Sequence, residues 1–273
     1  MRNLQSNVLV VALLSMTILS GCFTNPVTGR KELNLISSDQ EMQLGLATFD
    51  QLKKEKPINH DPAINEMVQR VGNRLAAVAG KDMPNARWEF VVFDSKEANA
   101  FCLPGGKVGV YTGILPITRD DAGLATVLGH EIGHATAHHA AERMSQAELM
   151  QVGSSIAGGV TAKAQPITQQ AVSVAFGVGG PLLVELPHSR KQESEADHMG
   201  LIYMANAGYD PQAAVQFWQR FAEYNKQAGG SEGLSFLRTH PLDSKRIADL
   251  QKELPQAEAI YQKTARTGSV TTP

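Results

Sequence analysis

LATVLGHEIGHATAHHAAERM, Leu124 to Met144, places four histidines within ten residues. Thr118, three residues before Asp121, matches a helix-capping pattern, and neither proline nor a glycine cluster follows until Gly153. The spacing predicts one unbroken helix that carries all four. On it, His130 and His134 are i and i+4, so their side chains project about 40° apart, one turn above the other, and can reach one zinc ion. Glu131, about 100° around, stands beside such an ion and can reach its open coordination position. HEIGH is thus a complete HExxH pattern. On an unbroken helix His138 lies another turn away, about 6 Å further along. Proteases that recruit a nearby third histidine use HExxHxxGxxH, whereas here Ala137 and Ala140 fill the Gly and His positions. His138 and His139 are therefore read as structural or surface residues, as are His60, His188 and His198.

Taken alone, HEIGH is weak evidence, and a third ligand has to come from elsewhere. ESEAD, residues 193–197, supplies a candidate. Glu193 and Asp197 are again i and i+4, with Glu195 directed to the opposite side. Two histidines and a glutamate from a second helix leave a fourth zinc position open. Asp197 can accept the N–H of a ligand histidine and fix its tautomer. Ala196 and Gly200 remove bulk and allow the two helices to approach.

Several capped helices surround these two. SSDQEMQLGLATFDQLKKE has Ser38 three residues before Glu41, and DPAINEMVQRVGNRLAAVAG has Asp61 as cap, Pro62 in the first turn and Gly80 as stop. Ser189 with Gln192 caps the ESEAD helix, which runs to Gly208, and Asp210-Pro211 opens the next. WEFVVFDS and KVGVYTGIL read as strands, the second introduced by the turn LPGG. The strand at KVGVYTGI is expected to offer an exposed sheet edge to an extended polypeptide. The segment 151–187, rich in small and apolar residues, reads either as packed interior helices or as a cleft cover or lipid-touching surface. No internal repeat is present.

The chain resembles a family-48 metallopeptidase of the periplasmic lipoprotein type, in the group that contains the heat-shock protease HtpX and the CAAX prenyl endopeptidase. HEIGHATAHHAAERM, ESEAD, NAFCLPGGKVGVYTGIL, NPVTGRKELNLIS and THPLDSKRI carry the resemblance, over about residues 23–250. Cys102 departs from it, at a place where a plain apolar residue is expected. With the elements above, the resemblance implies an α+β, mostly helical, zincin-like (gluzincin) domain with a small β-sheet beside the HExxH helix. It implies one zinc on His130, His134 and Glu193, with Glu131 as general base and Asp197 orienting a ligand and sharing in proton transfer. His240, in THPL, matches a family histidine near the metal. It either stabilises the developing oxyanion or occupies the open position.

The N-terminus bears on location. Val8 to Leu19 is an apolar run of 12 residues, too short to span a bilayer but suited to a signal peptide. It ends in LSGC, which resembles a bacterial lipobox and implies cleavage before Cys22 and lipidation of its sulfur. Phe23 in place of Asp points to the outer membrane, facing the periplasm. The chain accordingly divides into a leader at 1–21, a lipidated tether at 22–37, a peptidase domain at 38–254 and a frayed tail at 255–273. A net charge of −2 disfavours a nucleic-acid partner. With Cys22 lipidated, Cys102 has no partner within the chain. The expected activity is hydrolysis of misfolded or stalled envelope proteins, with outer-membrane assembly machinery as a possible associate. The alternative is a lipid-anchored assembly factor or holdase with a non-catalytic zinc site.

Overall fold

The computed structural model describes residues 22–157, 188–227, 235–241 and 244–267. The expected leader at 1–21, most of the small-residue stretch at 151–187 and residues 228–234 lie outside the described residues.

The chain opens with an antiparallel hairpin, β1 (Cys22–Thr24) and β2 (Lys31–Leu33). Asn25 closes its turn by accepting from the N–H groups of Val27 and Thr28 at 2.9 and 3.1 Å. This is where a tether was expected. The difference is explained by charge: Arg30, within the turn, meets the buried carboxylates of Glu142 and Glu195 in the body, and Asn25 is itself buried with its amide on Met199 Sδ. Sequence composition does not show such partners.

Helix α1 (Ser38–Glu55) follows, capped by Ser37 with Gln40, one residue earlier than the Ser38–Glu41 pairing read from the sequence. The shift leaves Glu41 free to turn inward, where it is buried. Helix α2 (Pro62–Ala79) begins as expected, with Asp61 Oδ1 accepting from Ala63 and Ile64 and with Val68, Val71 and Leu75 buried along one face.

Three strands come next: β3 (Glu89–Phe93), β4 (Ala100–Leu103) and β5 (Lys107–Tyr111). Gly105 and Gly106, both with positive φ, form the tight turn between β4 and β5 that residues with a Cβ adopt at a cost. The strand order is β3-β5-β4, with β3 parallel and β4 antiparallel to β5. KVGVY is therefore the central strand, hydrogen-bonded on both sides, and the expectation of an exposed edge there is overturned. The outer strands of this sheet are β3 and β4. The apolar run of KVGVY suits a central strand as well as an edge, so only the pairing separates them.

A 3₁₀ turn (Thr112–Ile114) and a short helix α3 (Leu115–Thr118) lead to α4 (Asp121–Thr136), capped by Asp120 rather than Thr118. Every residue of α4 from Gly123 to Thr136 is buried, as befits a helix packed on all sides. It contacts α2, β4 and two later helices, α6 (Arg190–Asn206) and α7 (Gln212–Gln227). Helix α4 stops at Thr136, and α5 (His139–Ala157) starts in a new direction. The unbroken histidine helix is thus corrected. His138 sits in the left-handed region, at φ 51°, which costs a non-glycine residue about 1–2 kcal/mol. Its imidazole is bonded to Glu41 and lies edge-on to Phe23 with ring centroids 4.4 Å apart, contacts that offset the strain.

A single turn, α8 (Ser235–Thr239), and a long helix, α9 (Ser244–Thr267), complete the described chain. The tail from Pro255, expected to fray, is helical to Thr267. Burial of Leu254, Ala257 and Thr264, with Ile260 and Tyr261 packed on the core, carries α9 past the proline. No described helix is long and apolar enough to cross a membrane.

Candidate metal centre

Backbone contact between α4 and α6 builds the centre. A Cβ placed on Gly133 would come within 2.9 Å of the Ala196 carbonyl oxygen, and one on Gly200 within 3.0 Å of the His130 nitrogen. The small residues therefore set how closely the two helices pack. Ser189 starts α6 with the expected capping box, which puts Glu193 one turn in, facing the histidines. His134 Nε2 is 3.2 Å from Glu193 Oε1, His130 Nε2 is 3.6 Å from Oε2, and the two Nε2 atoms are 3.0 Å apart. From the end of α8, His240 brings Nδ1 to 3.0 Å from Glu193 Oε1 and 3.2 Å from His130 Nε2. Donor atoms of His130, His134, Glu193 and His240 all lie within 4.8 Å of one another, and all four residues are buried.

This donor set fits a cation. His130 Nδ1 lies 2.9 Å from Asp197 Oδ1, so its proton belongs there and its Nε2 lone pair faces that of His134. Two imidazole lone pairs directed at each other across 3.0 Å, beside a carboxylate, call for a proton or a metal between them. Burial keeps both rings neutral by driving their pKa values down, for His134 well below the ordinary value. Burial opposes the charge on Glu193, yet His240 and Arg246 hold its carboxyl well below the usual range. Neutral imidazoles and an ionised carboxylate are the states that bind zinc.

Glu131 behaves differently. Burial, aided by the charge of Glu193, lifts its carboxyl to about 7. No hydrogen bond reaches its Oε1, although His240 Nε2 stands 3.3 Å away. Glu131 is thus poised near neutrality, as a proton acceptor must be.

The structure brings together every site residue read from the sequence except Cys22, which begins β1. His60 is exposed, and His198 pairs with Glu253 at 3.0 Å. Four buried residues given no site role belong to the surroundings of the centre. Arg246 grips both oxygens of Asp197 at 2.7 Å, reaches Glu193 Oε2 at 2.6 Å and lies over the Trp218 ring at 3.6 Å. His139 bonds His134, and Glu195 bonds His139. The His188 ring lies 3.9 Å from that of His134. Arg246 follows His240 within the quoted THPLDSKRI, the only sequence signal for it. A charged residue on a helix otherwise reads as a solvated one.

The model of peptidase family M48 matches residues 62–254. The chain is 33% identical over 258 residues to the mitochondrial metalloendopeptidase OMA1 of Saccharomyces cerevisiae, covering 88% of this chain and 71% of that protein. It is 34% identical over 236 residues to the Schizosaccharomyces pombe protein of the same name, covering 85% and 66%. To the beta-barrel assembly-enhancing protease of Escherichia coli it is 28% identical over 286 aligned positions, covering 97% and 57%. Several of these relatives are thus considerably longer than the segment they share with this chain. The chain belongs to peptidase family M48, a family of zinc-dependent metallopeptidases.

Proposed function

We propose that the protein is a membrane-anchored zinc endopeptidase acting on unfolded or misassembled envelope proteins, with His130, His134 and Glu193 as the metal ligands. The observation that carries this reading is the buried convergence of those three donors beside a carboxyl poised near neutrality. A zinc ion held there would polarise a peptide carbonyl and acidify a water. Glu131 takes the proton of the attacking water and returns it to the leaving amine. Asp197, clamped by Arg246, holds the Nδ1–H of His130 and so keeps Nε2 turned to the cluster. The place of His240 Nδ1 among the donors favours an occupant of the open position over an oxyanion stabiliser. Strand β4, an outer strand packed against α4, is the edge to which we assign main-chain pairing with substrate.

Relatives named beta-barrel assembly-enhancing protease support an envelope substrate, whereas those named OMA1 are mitochondrial, so location rests on the LSGC leader of this chain. Lipidation at Cys22 would anchor a chain whose first strand is already part of the body, and on this reading the peptidase unit sits against the outer-membrane surface. We take that unit to run from the hairpin through α9.

Casein turnover and metal content test the reading. Wild type should carry about one zinc per chain, and Glu193→Ala should lose it. Glu131→Gln should keep zinc while turnover falls roughly 10²–10⁴-fold. Undiminished turnover in Glu131→Gln would exclude this mechanism. If the wild type also fails to cleave but suppresses aggregation, the holdase reading replaces it.

A further inference from the structure

The two ligand histidines are supported in different ways. Behind His130 stand a carboxylate, Asp197, and the arginine that grips it. Behind His134 stands another imidazole: its Nδ1 is 2.7 Å from Nδ1 of His139. A contact that short between ring nitrogens needs one proton between them. With His134 Nε2 turned to the cluster as a lone pair, that proton sits on His134 Nδ1, and His139 Nδ1 accepts. His139 then carries its own proton on Nε2, which lies 3.1 Å from Glu195 Oε2. Glu195 in turn accepts from the Thr28 hydroxyl and from Arg30 Nε, both in the N-terminal hairpin. The terminal nitrogens of Arg30 hold Glu142 at 2.9 and 3.0 Å. His139, Glu195 and Glu142 are all buried.

We propose that His139 is a positioning residue for His134, and that a directed hydrogen-bond chain from His134 to His139 to Glu195, met at Glu195 from the other side by the donating Arg30, ties the metal centre to the N-terminal hairpin. The kink makes this possible. On a continuous helix a residue five positions on points about 140° away from His134. The left-handed His138 instead folds His139 back against it. Because Phe23 packs on His138, the hairpin supports the chain at both ends, through Phe23 at the kink and through Arg30 at Glu195. Glu32, His139 and Glu195 also lie within metal-ligating distance of one another, but Arg30, with Nη2 2.6 Å from Glu32, already supplies the cation there. A neutral imidazole accepts at one nitrogen and donates at the other, so it passes the orientation set by Glu195 on to the ligand ring.

This inference rests on the ligand assignment proposed above. Zinc affinity by chelator competition, with the visible spectrum of the cobalt-substituted full chain as a report of ligand geometry, tests it. His139→Phe should weaken zinc binding roughly 10–100-fold and shift the cobalt spectrum. Arg30→Met should act in the same direction but less. His139→Gln, whose amide offers an acceptor and a donor, should stay within about threefold of wild type. A folded His139→Phe with wild-type affinity and spectrum would overturn the proposal. Should that variant not fold, Arg30→Met against Arg30→Lys decides, and wild-type affinity in Arg30→Met overturns it. Glu193→Ala separates the two readings. If it loses zinc while His139→Phe binds normally, only the relay is wrong; if it keeps zinc, the ligand assignment fails as well.

Discussion

Helix α6 is held at two junctions made of opposite materials. Against α4 the contact is backbone on backbone, through Gly129, Gly133, Ala196 and Gly200. Against the N-terminal hairpin it is ionic, where one guanidinium, Arg30, meets Glu32, Glu142 and Glu195. The glycine junction sets how far Glu193 stands from the two histidines, and close-packed backbone leaves it no room to adjust. The ionic junction sets which way ring protons point, and it depends on charge. With three carboxylates on one arginine, not all are ionised at neutral pH. Burial pushes Glu32 up to about 8, while His139, Thr28 and Arg30 overcome burial to hold Glu195 at about 2. Distance in this protein is a steric property and orientation an electrostatic one.

The largest expected effect is on the steric side. Gly200→Val puts carbon against the backbone of His130 and Gly129, neither of which can give, and should cost about 3 kcal/mol or more by chemical denaturation. The loss should be the same at every pH, and zinc content should fall with it. On the ionic side, Glu195→Ala strands His139 and leaves Arg30 with fewer partners, and should cost about 2 kcal/mol. A pH-independent loss in that variant would erase the distinction between the junctions.

Titration sharpens the contrast. Glu195 is depressed in the folded chain, so its stabilisation is complete above its unfolded value of 4.5 and is lost as pH falls toward about 2. Glu32 is raised, so the folded chain holds the extra proton, and its contribution declines as pH climbs from 4.5 through about 8. Denaturation midpoints across this range should lose their acid limb in Glu195→Gln and their alkaline decline in Glu32→Gln. The smallest effect belongs to the exposed pair of Arg70 and Asp121, where Asp121→Asn should leave the denaturation midpoint close to wild type, and closer still in high salt.

What the sequence determined by itself is what short-range geometry determines. A helix places i and i+4 on one face wherever it forms, so HEIGH and ESEAD could each be read as half of a centre. Caps at Asp61 and Ser189 were legible for the same reason, because donor and acceptor lie within three residues. The tertiary structure decided everything that depends on segments far apart. His138 adopts its strained conformation because Glu41, 97 positions away, and Phe23 hold it there. Arg30 finds its carboxylates 112 and 165 positions on, and Arg246 finds Asp197 49 positions back. KVGVY became a central strand because β4 pairs on one side and β3 on the other. Local periodicity records which face a residue occupies, whereas the charge or ring that meets that face is chosen only when the chain packs.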